Sequence, residues 1–168
     1  MVDRLLLDRT LLRRYDVTGP RYTSYPTAAQ FTETFDAAHY RERVAWSNDD
    51  PIPRPLSLYV HVPFCRTVCF YCACNKVITA NYRRAADYLA RLIDELDLQA
   101  ALFDDDRPVE QLHLGGGTPT YFTDDDLATL IDAIARRFPM APPAKREFSI
   151  EVDPRTVDRE RIRNLAAL

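Results

Sequence analysis

Apolar and polar positions set out the elements of this chain before any chemistry is considered. Residues 3–15 intersperse leucines with arginines and aspartates at helical spacing, which predicts an amphipathic helix. Residues 19–27 contain Gly19, Pro20 and Pro26 and predict extended backbone, because proline fixes its own φ and restricts the residue before it. A short helix carrying Trp46 is expected over 36–47. The run 48–55, with Pro51, Pro53 and Pro55, reads as a connector.

After the connector the period changes. Residues 56–62 show the mixed alternation of a strand. Residues 81–102 place Tyr82, Ala85, Leu89, Leu92, Ile93, Leu96 and Ala100 at helical spacing. Residues 109–114 form a second expected strand that runs straight into Gly115. Residues 124–138 predict a helix with Asp124, Asp125 and Asp126 in its first turn, where the helix dipole favours acid. Its buried stripe is Leu127, Leu130, Ile131, Ile134 and Phe138. Residues 147–152 form a third strand, and a third helix begins at 157.

The order βαβαβα predicts an α/β fold with parallel strands and helical crossovers. Two domains are expected: an N-terminal helical and extended segment over 1–55, and the α/β portion over 56–168. In such sheets the chemistry gathers beyond the carboxyl ends of the strands. The segments there are Cys65–Cys74, Gly115–Gly117 and Glu151–Pro154, so all three are expected at one edge.

Composition narrows the class. At 168 residues the chain can bury a core. A net charge of −3 gives no basic footprint for nucleic acid. No apolar run approaches a membrane span. Met1 is followed by charged Asp3, Arg4 and Asp8 rather than the apolar core of a signal peptide, which points to a reducing cytoplasm.

All four cysteines, Cys65, Cys69, Cys72 and Cys74, lie in one run with spacing C-x3-C-x2-C-x-C. A disulfide pair is possible, but a Cys-x-Cys link is strained and nothing else suggests secretion. Zinc is the stronger alternative, yet zinc knuckles use two separated Cys-x2-Cys pairs and here there is no second pair. An iron–sulfur cluster fits consecutive ligands in one loop best. Three thiolates on a four-iron cluster leave one iron open to a ligand.

Gly115, Gly116 and Gly117 are three of the four glycines in the chain. They make either a tight turn or a place where backbone approaches a ligand closely. Thr118 and Pro119 follow where a phosphate loop would carry lysine and serine or threonine. Glu151 is either a solvated strand-end charge or an acceptor for a ligand amine or hydroxyl. Tyr59 and His61 share one face of the first strand and either fill core or face a site. Tyr71 is positioned to stack on a purine or to cover the cysteine loop. His39 and His113 read as structural.

These segments together resemble the oxygen-independent coproporphyrinogen III oxidase family of radical S-adenosylmethionine (SAM) enzymes. The matching stretches are GPRYTSYPT over 19–27, LYVHVPFC over 58–65, CFYCACNK over 69–76, GGGTPT over 115–120 and SIEVDP over 149–154. The resemblance implies a partial (β/α)6 radical SAM barrel, here about three βα units long. It implies Cys65, Cys69 and Cys72 as ligands of a [4Fe-4S] cluster, with Cys74 needed for activity but not a ligand. His61 is carried with Cys74 as a catalytic candidate. Tyr59, Tyr71, Gly116, Gly117, Thr118 and Glu151 fall where the family contacts SAM, with Tyr71, Gly117 and Thr118 at a second SAM molecule. The implied reaction begins when a deoxyadenosyl radical takes hydrogen from the β-carbon of a propionate on coproporphyrinogen III. Carbon dioxide leaves, an electron passes to an acceptor, and a vinyl group remains; two such steps give protoporphyrinogen IX for haem synthesis. A reductant such as flavodoxin or ferredoxin is implied with it.

The alternatives are the related radical SAM haem chaperone and a non-catalytic fragment that binds a cluster. The chaperone group lacks the Gly19–Tyr22 segment and a cysteine in the place of Cys74. The chain stops at Asn164–Leu168 inside a helical pattern with no glycine cap, which reads as a polypeptide cut off before the later strands. An incomplete barrel is expected to leave an unpaired strand edge and to be inactive alone.

Overall fold

A computed structural model describes residues 8–16 and 27–168. The chain divides into two compact units, 1–36 and 37–168. In the first, helix α1 (Arg9–Tyr15) begins at Asp8, whose carboxylate accepts from the backbone N–H of Thr10 at 2.8 Å and Leu11 at 3.2 Å. The first part of the expected helix, residues 3–7, and most of the extended stretch 19–27 lie outside the described residues.

The second unit opens with α2 (Ala37–Asn48) and continues as strand β1 (Leu56–Val62), the short strands β2 (Phe64–Cys65) and β3 (Val77–Ile78), and α3 (Arg83–Ala100). Strand β4 (Val109–Gly116), α4 (Asp124–Ala135), β5 (Glu147–Ile150) and α5 (Arg159–Ala167) complete it. The main sheet has the order β1-β4-β5, and both pairings are parallel. The α/β class and the parallel connections expected from periodicity are therefore present.

One face of this sheet is apolar. Val60, Val62, Leu112 and Leu114 are buried there, with Leu58 and Ile150 packed against them. Ala85, Leu89, Leu92 and Leu96 of α3 and Leu127, Leu130 and Ile134 of α4 cover that face. Their i, i+3, i+4 and i+7 spacing forms the stripe that the helical periodicity foretold. Helix α4 starts at Thr123, whose hydroxyl accepts from the Asp126 N–H at 3.1 Å. Among the described residues no helix is long and apolar enough to cross a membrane.

The compact units separate at Asp36/Ala37 rather than at the proline connector, and a buried arginine accounts for this. Arg107, 7% exposed, donates to the Arg54 carbonyl at 3.0 Å, the Ser47 hydroxyl at 2.7 Å and Asn48 Oδ1 at 3.0 Å. Tyr40 adds a bond to Gln99 at 2.6 Å. These bonds tie α2 and the connector to the α/β core, which the proline spacing alone could not indicate. We expect Arg107→Ala to lower stability by about 1–3 kcal/mol in urea unfolding, because it orphans three acceptors. Arg107→Lys should recover only part, since an ammonium cannot reproduce the guanidinium fork. A loss below roughly 0.5 kcal/mol for the alanine variant, the scale of an ordinary surface change, would contradict this role.

Candidate functional site

The other face of the sheet is polar, and the register aligns its side chains in rows. Ser57, Gln111 and Glu147 are mutual neighbours across the three strands; so are Tyr59, His113 and Ser149. His61 stands opposite Gly115 one step further along. Gln111 donates to Glu147 at 2.8 Å, and His113 Nδ1 lies 2.7 Å from the Ser149 hydroxyl. Tyr59 stacks on His113 with ring centroids 5.7 Å apart, and its hydroxyl is 3.1 Å from His61 Nδ1. Tyr59 is 59% exposed, so it fills no core among the described residues. Its hydroxyl pKa is raised, first by desolvation and then by Glu151 and Cys74.

Glu151 lies just past the end of β5 rather than within it. Its backbone N–H still continues the ladder to the Leu114 carbonyl at 2.9 Å. Its carboxylate Oε2 accepts from the Gly116 N–H at 3.0 Å, while Oε1 lies 3.7 Å from His113 Nε2. The charge is thus anchored on the glycine run.

Gly115 and Gly116 end β4 and Gly117 follows it directly, and the space the run leaves is taken by the site itself. A Cβ on Gly115 would lie 2.9 Å from the Tyr59 ring, and one on Gly116 would lie 2.8 Å from the His61 ring. Gly116 also has φ +116°, which a side chain disfavours. At Gly117 a Cβ would meet the Pro63 carbonyl oxygen at 2.6 Å and Cys65 Sγ at 2.9 Å.

Close approach at Gly117 lets β4 clamp the base of the cysteine loop. Gly117 N–H donates to the Val62 carbonyl at 2.9 Å, and Thr118 N–H to the Phe64 carbonyl at 2.9 Å. On the other side, β2 pairs in parallel with β3 through Val77 N–H to Pro63 at 2.7 Å and Thr79 N–H to Cys65 at 3.0 Å. His61 Nε2, 3.0 Å from the Asn75 carbonyl, braces the far end of the loop. Aromatic rings lie beneath: Phe64 meets Tyr88 edge-on at 5.5 Å, and the Tyr88 hydroxyl donates to the His61 carbonyl at 2.7 Å.

All four cysteines are free thiols. Cys65 is buried, with Sγ 3.4 Å from the Thr118 hydroxyl. Cys69 accepts from Arg155 at 3.6 Å, and Asp153 holds that guanidinium at 2.7 Å. Arg155 keeps the Asp153 carboxyl at about 2, below the usual carboxylate range. Depression of that kind favours the fold above the unfolded value of about 3.9 and is lost as pH falls through the folded one. The Cys72 thiol is held below its ordinary pKa, chiefly by a backbone hydrogen bond at Cys74 and also by Lys76. Cys74 is pushed up, first by desolvation, then by its bond with Cys72 and the charge of Glu151.

Among the described residues no three His, Cys, Asp or Glu side chains converge as a metal site. The donor set nevertheless suits a cluster: four free thiols on one loop, clamped at the first of them by backbone hydrogen bonds.

Tyr59, His61, Gly116, Gly117, Thr118, Glu151 and Cys65 are brought together as the sequence suggested. Tyr71 is not: it stands 86% exposed beside Phe70 on the outside of the loop. His113 and Arg155 were missed. A single histidine in a strand has no periodic signal, and Arg155 meets Cys69 only across the fold.

Residues 59–168 match the radical SAM superfamily, and the chain belongs to it. Membership implies a [4Fe-4S] cluster and SAM. The chain is 45% identical over 161 residues to the oxygen-independent coproporphyrinogen III oxidase of Pseudomonas aeruginosa, covering 94% of this chain and 34% of that protein. It is 41% identical over 153 residues to the protein of the same name from Mannheimia haemolytica, covering 91% of this chain and 100% of that one. Among solved structures, the coproporphyrinogen III oxidase of Escherichia coli, described as a radical SAM enzyme, aligns with a TM-score of 0.78 and 40% identity. That alignment covers 94% of this chain and 33% of that one. Within the superfamily the chain belongs to the oxygen-independent coproporphyrinogen III oxidase family. It spans about a third of the length of the Pseudomonas and Escherichia proteins.

Two outcomes follow for the metal-free chain. Gly117→Ala should cost about 1–3 kcal/mol, because the obstructing atom is backbone, and should raise the labelling rate of Cys65. Unchanged Cys65 labelling would show that the clamp does not depend on this glycine. With iodoacetamide near neutral pH, Cys72 should react before Cys74 although Cys74 is the more exposed, because the thiolate is the nucleophile. Mass spectrometry showing Cys74 modified first would contradict the ordering of their acidities.

Proposed function

We propose that this chain carries the cluster- and SAM-binding part of an oxygen-independent coproporphyrinogen III oxidase. Its reaction is the oxidative decarboxylation of two propionates of coproporphyrinogen III, giving protoporphyrinogen IX, in a reducing cytoplasm with flavodoxin or ferredoxin as electron donor. The observation that carries this reading is the joining of three strand-end segments on one polar sheet face. The cysteine loop, the glycine run and Glu151 touch through Cys65–Thr118 and Gly116–Glu151.

Cys65, Cys69 and Cys72 are the proposed cluster ligands. When bound, the cluster and SAM supply the reducing electron and the radical that starts decarboxylation. Tyr59, Gly116 and Glu151 would hold one SAM, with Glu151 accepting from its amine or hydroxyls. Gly117 and Thr118 would border a second; Tyr71, which stands apart from them here, would join that border only by a rearrangement of the loop. His61 acts by bracing the loop at Asn75, and Cys74 is the proposed fourth thiol, needed for activity without being a cluster ligand.

Anaerobic reconstitution tests this assignment. Serine at Cys65, Cys69 or Cys72 should abolish iron and sulfide incorporation, while Cys74→Ser should keep iron content and lose SAM cleavage to 5′-deoxyadenosine. Iron lost in Cys74→Ser but kept in Cys72→Ser would show the ligands to be wrongly assigned. Zinc retained in place of iron and sulfide would remove the redox reading altogether.

A further inference from the structure

We propose that His113 is a positioning residue that sets the carboxylate of Glu151 for SAM; this rests on the reading of Glu151 given above. The imidazole is constrained on three sides. Its Cα partners in the sheet are Tyr59 and Ser149, so it stands in the middle of a row. Tyr59 stacks on one face at an interplanar angle of 17°. Beside it, a Cβ on Gly115 would lie 3.0 Å from Nε2 and 2.9 Å from the Tyr59 ring, so a glycine there leaves the stacked pair its room.

The fourth constraint is chemical. Nδ1 lies 2.7 Å from the Ser149 hydroxyl, and Nε2 faces Glu151 Oε1 at 3.7 Å. Were the proton on Nδ1, an imidazole lone pair would point at a carboxylate oxygen. With Ser149 donating to Nδ1, the proton sits on Nε2 and faces that oxygen. The second carboxylate oxygen, Oε2, is already held by the Gly116 N–H at 3.0 Å. Glu151 is thereby fixed at both oxygens, one by a direct bond and one by an electrostatic pull. At 3.7 Å the pull does not occupy a lone pair of Oε1. That oxygen keeps its capacity to accept an N–H or O–H from a ligand on the open face. A ring that merely filled space would need no particular proton and could be replaced by phenylalanine.

Three variants of the full chain test this. After anaerobic reconstitution, His113→Phe should keep its iron content and bind SAM about two- to fivefold more weakly by calorimetry, the scale of an exposed electrostatic contact. His113→Gln restores an N–H donor and should recover most of the affinity. Nitrogen-15 spectra of the metal-free chain should show His113 protonated at Nε2, with an Nδ1 signal that moves in Ser149→Ala. Undiminished SAM affinity in His113→Phe, or a proton on Nδ1, would overturn the proposal. A wild-type chain that holds its cluster yet binds no SAM would instead defeat the reading of Glu151. The nitrogen-15 result would then decide the placement of His113 by itself.

Discussion

The site depends on a double clamp at one short stretch of backbone. Residues 62–65 bond to the glycine run on one side and to β3 on the other. Without the first set of bonds the cysteine loop would hang from the end of β1. Without the second it would have no closed base. Glycine is required at position 117 because the clamp brings two backbones closer than a Cβ allows. The buried position of Cys65, its contact with Thr118 and the attachment of Glu151 at Gly116 all follow from that approach.

The sheet has two unlike faces, and the difference organises the molecule. Burial of the apolar face under α3 and α4 supplies the core. The opposite face carries the rows from Ser57 to Glu147 and from Tyr59 to Ser149, which no helix of the second unit covers. Parallel sheets usually bury both faces under helices. Here the polar face carries the side chains that surround Glu151, so stability and function are drawn from opposite sides of the same three strands.

Much of this was legible from residues alone, and the exceptions have physical reasons. Strand β1 was read to its last residue because alternation marks it at both ends. Strand β4 runs two residues beyond its apolar pattern, since glycines continue a ladder through backbone without contributing a period. Strand β5 stops short of Glu151 although the ladder hydrogen bond goes on. The pair β2–β3 escaped notice because two-residue strands have no pattern to read. The cysteines and glycines declared themselves by spacing and rarity. The brace by His61, the row through His113 and the contact of Arg155 with Cys69 exist only once the strands are in register.

The central claim is that the cysteine loop, the glycine run and Glu151 form one site where SAM meets a cluster. Electron paramagnetic resonance of the reconstituted, dithionite-reduced chain, recorded with and without SAM, examines that claim most directly. A reduced [4Fe-4S] signal whose g-values shift on SAM addition, and shift much less in Glu151→Gln, is the result predicted here. A cluster signal that saturating SAM leaves unchanged in the wild-type chain would contradict it.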